Sequence, residues 1–144
     1  MANARQILSE KSKQEVISVD PAASVLEAAR MMNEHHIGSL VVLEGDRLQG
    51  IFTERDVMRR IVAEGKNPDT TPVRDVMTHP VACAAPHTAY TELCTVMREE
   101  RIRHLPVVED DKVLGMISIG DLNRADHDDQ EKTIKYLEQF MSVT

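Results

Sequence analysis

Cysteine is scarce in this chain. Only Cys83 and Cys94 occur, neither lies in a CxxC pair, and their number and spacing exclude a disulfide framework and a zinc knuckle. Both read as small apolar residues of the interior. Long apolar runs are also missing: no stretch approaches the roughly 20 residues a membrane span needs, and the expectation is a soluble protein. Met1 to Gln6 lacks a basic start followed by an apolar core, so no secretory signal is read and the chain is expected in the cytoplasm. Positive charge is in deficit as well. A formal charge of −7 disfavours a general nucleic-acid or anionic-membrane surface, and any polyanionic ligand must be met by a local cluster of cations.

Several catalytic signatures are absent too. The glycines form neither GxGxxG nor GxxxxGK[ST], which removes Rossmann and Walker chemistry. The six histidines, His35, His36, His79, His87, His104 and His127, show neither HExxH nor finger spacing, and no native metal site is expected. Eight methionines read as adaptable core filling. No nucleophile has a base placed beside it by any motif, so no enzyme is indicated.

What is present is a repeat. At 144 residues and 16.2 kDa the chain suits one ordinary domain or two small units sharing a core. Sliding it by 65 positions lays Val16 to Val57 on Val81 to Leu122 without a gap, with 12 of 42 pairs identical. Among them are Pro21 with Pro86, Glu27 with Glu92, Gly50 with Gly115 and Asp56 with Asp121. Upstream, Arg5-Gln6-Ile7-Leu8 matches Arg74-Asp75-Val76-Met77 at an offset of 69, which makes Ser9 to Glu15 a polar loop.

Each copy opens with an extended segment, Val16 to Val19 or Val81 to Ala84. A helix follows, with Val25, Ala28, Ala29 and Met32 or Tyr90, Leu93, Cys94 and Met97 on one face at i, i+3, i+4, i+7. The strands Ser39 to Leu43 and Leu48 to Phe52, and likewise His104 to Val108 and Val113 to Ile119, pair through polar turns at Glu44 to Arg47 and Glu109 to Lys112. A second helix starts at Thr53 or Ser118, with Gly65 as a stop in the first copy. The α/β unit is β-α-β-β-α. One unit of about 50 residues buries too little surface alone, so the copies are expected to pack as one module. The division is residues 1–65, 66–125 and a C-terminal helix, 126–144, whose stripe of Ile134, Leu137 and Met141, flanked by Tyr136 and Phe140, wants a partner.

The most specific local signal occurs twice, as Gly50-Ile51-Phe52-Thr53-Glu54-Arg55-Asp56 and Gly115-Met116-Ile117-Ser118-Ile119-Gly120-Asp121. A strand runs into a hydroxyl residue with an aspartate three positions later. The plain reading is a helix cap. The same geometry offers a nucleotide free amides and a hydroxyl for phosphate and a carboxylate for ribose hydroxyls. Arg55 adds a cation that Gly120 does not replace. In Arg101-Ile102-Arg103-His104-Leu105-Pro106-Val107-Val108, the pair Arg103 and His104 is placed to neutralise phosphate, or else forms a solvated basic edge. Gly38 and Ser39 hold the matching places and leave room for a flat base.

The duplicated unit, the Gly-x-x-Thr/Ser-x-x-Asp turn and the Ile-Arg-His-Leu-Pro-Val-Val stretch resemble the CBS domain in its tandem arrangement, the Bateman module, over about residues 4 to 125. The resemblance implies a pseudo-twofold module with two clefts for adenosine ligands such as AMP, ATP or NAD. It puts ribose binding on Asp56 and Asp121, phosphate binding on Thr53 and Ser118, and cationic contacts on Arg103 and His104. Val16, Ser18, Val81 and Cys83 fall where the first strands line adenine. The small stand-alone form is similar to bacterial signalling members. Gly38-Ser39 departs from the family's Arg-His pair, which leaves one cleft poorer in cations. The function implied is a non-catalytic sensor that signals through a homodimer to an effector protein. The competing reading is a dimerisation scaffold with degenerate pockets.

Overall fold

A computed structural model describes residues 2–11 and 16–143, apart from the side chains at 133, 136 and 140–143. The elements run α1 (Ala4–Ser9), β1 (Ser18–Val19), α2 (Val25–His35), β2 (Ser39–Glu44), β3 (Arg47–Thr53) and α3 (Glu54–Asp56), which continues as a π-helical stretch, Val57–Val62. After a 3-10 turn at Val73–Asp75 come α4 (Tyr90–Glu100), β4 (His104–Glu109), β5 (Lys112–Ser118) and α5 (Ile119–Val143). One sheet has the order β1-β2-β3 and the other is the β4-β5 hairpin.

The repeat seen in the sequence is repeated in the backbone. Helices α2 and α4 each end on a left-handed residue, His36 at φ 54° and Arg101 at φ 55°. Hairpins β2-β3 and β4-β5 pair in the same register, and each is irregular at the same place, Val42/Leu43 and Val107/Val108. Gly65, at φ +64°, terminates the helical stretch after α3, with Lys66 N–H donating to the Ile61 carbonyl.

The leading segments are exchanged between the repeats. Ala4 and Ile7 of α1 are buried with Leu93, Leu105, Ile117 and Leu122 of the second repeat, while Val73 and Val76 are buried with Val25, Leu40, Phe52 and Ile61 of the first. Backbone bonds show the same exchange. Ala4 N–H donates to Thr88 O and Arg5 N–H to Pro86 O, and their counterparts, Val73 and Arg74, donate to Ala23 O and Pro21 O. Gly50 and Gly115 are the seats for these segments: a Cβ at Gly50 would stand 2.6 Å from Met77 Sδ, and one at Gly115 2.7 Å from Leu8 Cδ2. Each half therefore closes the other half's core, and apolar burial, the main stabilising term, is shared across the module. The 1–65 and 66–125 division by sequence order is crossed by packing, because α1 lies in the second core.

Four expectations change. The extended segment Val81 to Ala84 is reduced to one parallel bridge, Ala84 with Val107. In the first repeat Val41 N–H donates to Ile17 O, but its counterpart is Pro106, which has no N–H to give. The last helix does not begin near 126: α5 is one helix of 25 residues, starting where β5 ends. Ser9 ends α1 and does not open a loop, while positions 12–15 of the expected loop lie outside the described residues. Cys83 is exposed and Cys94 half-buried, both with free thiols, because the lost strand leaves Cys83 on the surface. On α5, Ile134 and Leu137 are exposed; the side chains of Tyr136, Phe140 and Met141 lie outside the described residues.

Candidate functional site

Both hydroxyl-x-x-Asp turns form reciprocal helix caps. Asp56 N–H donates to Thr53 Oγ1 at 3.1 Å and Thr53 N–H to Asp56 Oδ2 at 3.0 Å. Asp121 N–H donates to Ser118 Oγ at 3.1 Å and Ser118 N–H to Asp121 Oδ2 at 2.8 Å. The capping reading of these residues is therefore realised twice. Both carboxylates are buried, and each is held by a residue from the exchanged segment. Thr78 Oγ1 donates to Asp56 Oδ1 at 3.0 Å, and Lys11 Nζ lies 2.9 Å from Asp121 Oδ2. Arg60 and Arg124, one turn along, complete the two sets. No buried side-chain polar atom among the described residues lacks a partner.

Above the caps lies a cavity of about 630 Å³ between the repeats. Met32, Asn33, His36, Ile37, Gly38 and Glu54 line it from the first repeat, and Arg103, His104, Ser118, Ile119 and Gly120 from the second. Several of these are counterparts: Gly38 with Arg103, and Glu54 with Ile119. The cavity thus straddles the pseudo-twofold, and its volume is in the range of small-molecule sites. Its second-repeat wall combines a guanidinium, an imidazole, a hydroxyl and the N-terminus of a long helix, a set suited to an anion. Its first-repeat wall is different. The Glu54 carboxyl carbon stands 3.1 Å from where a Cβ on Gly38 would be, so the room expected beside Gly38 is taken by an acid.

Charge in the site is set by burial and close neighbours. Burial lowers the His104 pKa from its ordinary value; Glu54 and Asp121 oppose this, and Lys11 and Arg103 reinforce it. Burial alone would raise the Asp121 carboxyl, but the Ser118 backbone N–H and the Lys11 ammonium outweigh it, and its pKa is lowered.

Of the sequence-selected residues, Gly38, Arg103, His104, Ser118 and Gly120 come together around this cavity. Thr53, Asp56 and Asp121 stand behind its wall in the caps. Arg55 does not line it; its guanidinium donates across the repeat boundary to Arg101 O at 3.3 Å, so it ties the end of α4 and does not face an anion. Ser39 and Pro106 are buried in their strands and Val16 and Ser18 are half-buried, and none of the four lines this cavity. Val81 and Cys83 line a separate cavity of about 540 Å³ with Arg47, His79, Pro80 and Asp111. Sequence reasoning missed Lys11, Thr78, Glu54 and His36. Thr78 had a signal, since it extends the 69-residue match as the counterpart of Ser9; Lys11 had none. No group of three or more metal-ligating side chains occurs among the described residues, and no described helix is long and apolar enough to cross a membrane.

Comparison with known proteins agrees with this fold. The CBS domain family model matches residues 4–63 and 73–128. A protein from Burkholderia ambifaria, described as a signal-transduction protein with CBS domains, is 37% identical, with a TM-score of 0.85 over 90% of this chain and 96% of that one. The Bacillus subtilis CBS domain-containing protein YhcV is 32% identical over 75% of this chain and 76% of its own length. The mitochondrial CBS domain-containing protein CBSX3 of Arabidopsis thaliana is 39% identical over 71% of this chain, which spans 52% of that protein.

Proposed function

The chain belongs to the CBS-domain family as a tandem pair, and on that premise we propose that it is a non-catalytic sensor whose inter-repeat clefts bind an adenine nucleotide, AMP, ATP or NAD. The observation that carries the reading is the cavity between the repeats, where Arg103, His104 and the α5 N-terminus face one space beside two buried acids. An anionic phosphate suits the guanidinium, the imidazole and the helix end. The ribose hydroxyls would turn to Asp56 or Asp121, each exchanging a donor that the exchanged segment now supplies. Ligand would then reach both halves at once, since Thr78 and Lys11 belong to segments docked on the opposite repeat. A ligand shifts a conformational equilibrium only as far as it binds one arrangement better.

The signal is read by a homodimer and an effector protein. The support is the exposed pair Ile134 and Leu137 on α5, with Met58 and Val62 exposed after α3. Leu137→Asp is expected to convert a dimer to a monomer in light scattering.

Titration calorimetry with AMP, ATP and NAD tests the ligand reading. Because the acids are buried caps, Asp56→Asn and Asp121→Asn replace alanine variants, and a melting curve checks that each folds. Each substitution is expected to weaken binding. Undiminished binding by both folded variants refutes the ribose role, and absence of any binding by the parent protein favours the scaffold reading.

A further inference from the structure

The two repeats satisfy their buried acids with different chemistry. Asp56 accepts from a neutral hydroxyl, that of Thr78, with the Arg60 guanidinium standing off at 3.7 Å. Asp121 is paired with the Lys11 ammonium, and both side chains are largely covered, at 21% and 7% exposure. Lys11 Nζ also donates to the Met116 carbonyl at 2.6 Å. Met116 is the counterpart of Ile51, whose carbonyl accepts the Thr78 N–H at 2.8 Å. A lysine side chain in one half therefore holds the place that a backbone segment holds in the other.

Sugar hydroxyls approaching Asp56 exchange one hydroxyl donor for another. At Asp121 they must displace an ammonium; Arg124 keeps the acid paired, but the largely covered lysine is left without its carboxylate, which is strongly unfavourable. The exchange becomes favourable when the ligand carries an anion to which the ammonium can turn. Such an anion has a place to stand, because the Asp121 oxygen that Lys11 meets also accepts the N–H of Ser118, a residue of the cavity wall.

We infer that Lys11 determines specificity where a ribose meets Asp121, a position that admits adenosine only with an anionic phosphate, whereas the position at Asp56 takes the neutral nucleoside as well. This rests on the adenine-nucleotide reading above.

The test is calorimetry with adenosine and AMP on protein carrying Asp56→Asn, which weakens the Asp56 position so that binding at Asp121 dominates. AMP is expected to bind at least about tenfold tighter than adenosine, a difference of about 1.4 kcal/mol. Adding Lys11→Met is expected to bring the two ligands within about threefold, by strengthening adenosine and weakening AMP. Lys11→Arg, which keeps the cation, retains the preference. If Lys11→Met does not fold, Lys11→Gln carries the same comparison. A ratio unchanged by loss of the ammonium overturns the inference and leaves nucleotide binding intact. Failure of the parent protein to bind either ligand removes both.

Discussion

Thr78 Oγ1 donates a 3.0 Å hydrogen bond to Asp56 Oδ1, joining the segment that leads into the second repeat to the buried helix cap of the first. The carboxylate also accepts the Thr53 N–H. Thr78→Val keeps the shape and removes the donor. Chemical denaturation is expected to show a loss of about 1–3 kcal/mol, the cost of leaving a buried acceptor short of a partner. Asn3→Ala, in the exposed cap of α1, serves as a comparison and is expected to cost about 1 kcal/mol.

Gly50 and Gly115 are counterparts, but they meet different atoms. A Cβ at Gly50 would approach the Thr78 backbone oxygen at 2.9 Å as well as Met77 Sδ, whereas the three atoms nearest to one at Gly115 all belong to the Leu8 side chain. Backbone cannot yield as a leucine rotamer can. Gly50→Ala is therefore expected to destabilise by about 1–3 kcal/mol and Gly115→Ala by less. In thermal melts, Leu8→Ala should offset part of the Gly115→Ala loss and none of the Gly50→Ala loss.

His104 gives the fold a pH dependence of known sign. Its folded pKa lies below the ordinary 6.5, chiefly through burial. The unfolded chain therefore binds the proton more readily, and stability falls as pH drops from about 6.5 toward the lower folded value. The charges of Glu54 and Asp121 oppose this, while those of Lys11 and Arg103 reinforce it. Melting temperatures of His104→Asn are expected to change less than those of the parent protein between pH 7 and 5. An identical slope would place the titration elsewhere.

Asp121 acts in a lower window. Its pKa is depressed below the ordinary 3.8, so its contribution is present above that value and lost as pH falls through the folded pKa. Acid unfolding of Lys11→Met is expected to begin at a higher pH than that of the parent protein.

The repeat, the helix faces, the hairpins and both caps were legible because each depends on local spacing: apolar residues at helical intervals, polar turns between β-rich runs, and an acid three positions after a hydroxyl. The exchange of leading segments was not. The match of Arg5 to Leu8 with Arg74 to Met77 shows two equivalent segments, but equivalence does not say which core each enters. The glycines at 50 and 115 register that contact only once the partners Met77 and Leu8 are known. Lys11 was invisible for a similar reason, since nothing local couples a polar residue after a short helix to an acid 110 positions away. The loss of the strand at Val81 to Ala84 could have been read from Pro106, which stands where Val41 donates in the first copy.

The central claim is that a nucleotide enters the space between the repeats and meets the second-repeat wall with its phosphate. Backbone amide NMR of the isotope-labelled protein, with AMP added stepwise, tests it most directly. The largest shifts are expected at Gly38, Arg103, His104, Ser118 and Gly120, with smaller shifts in the outer turns of α5. Saturable shifts confined to other surfaces, with those five amides unmoved, would contradict it.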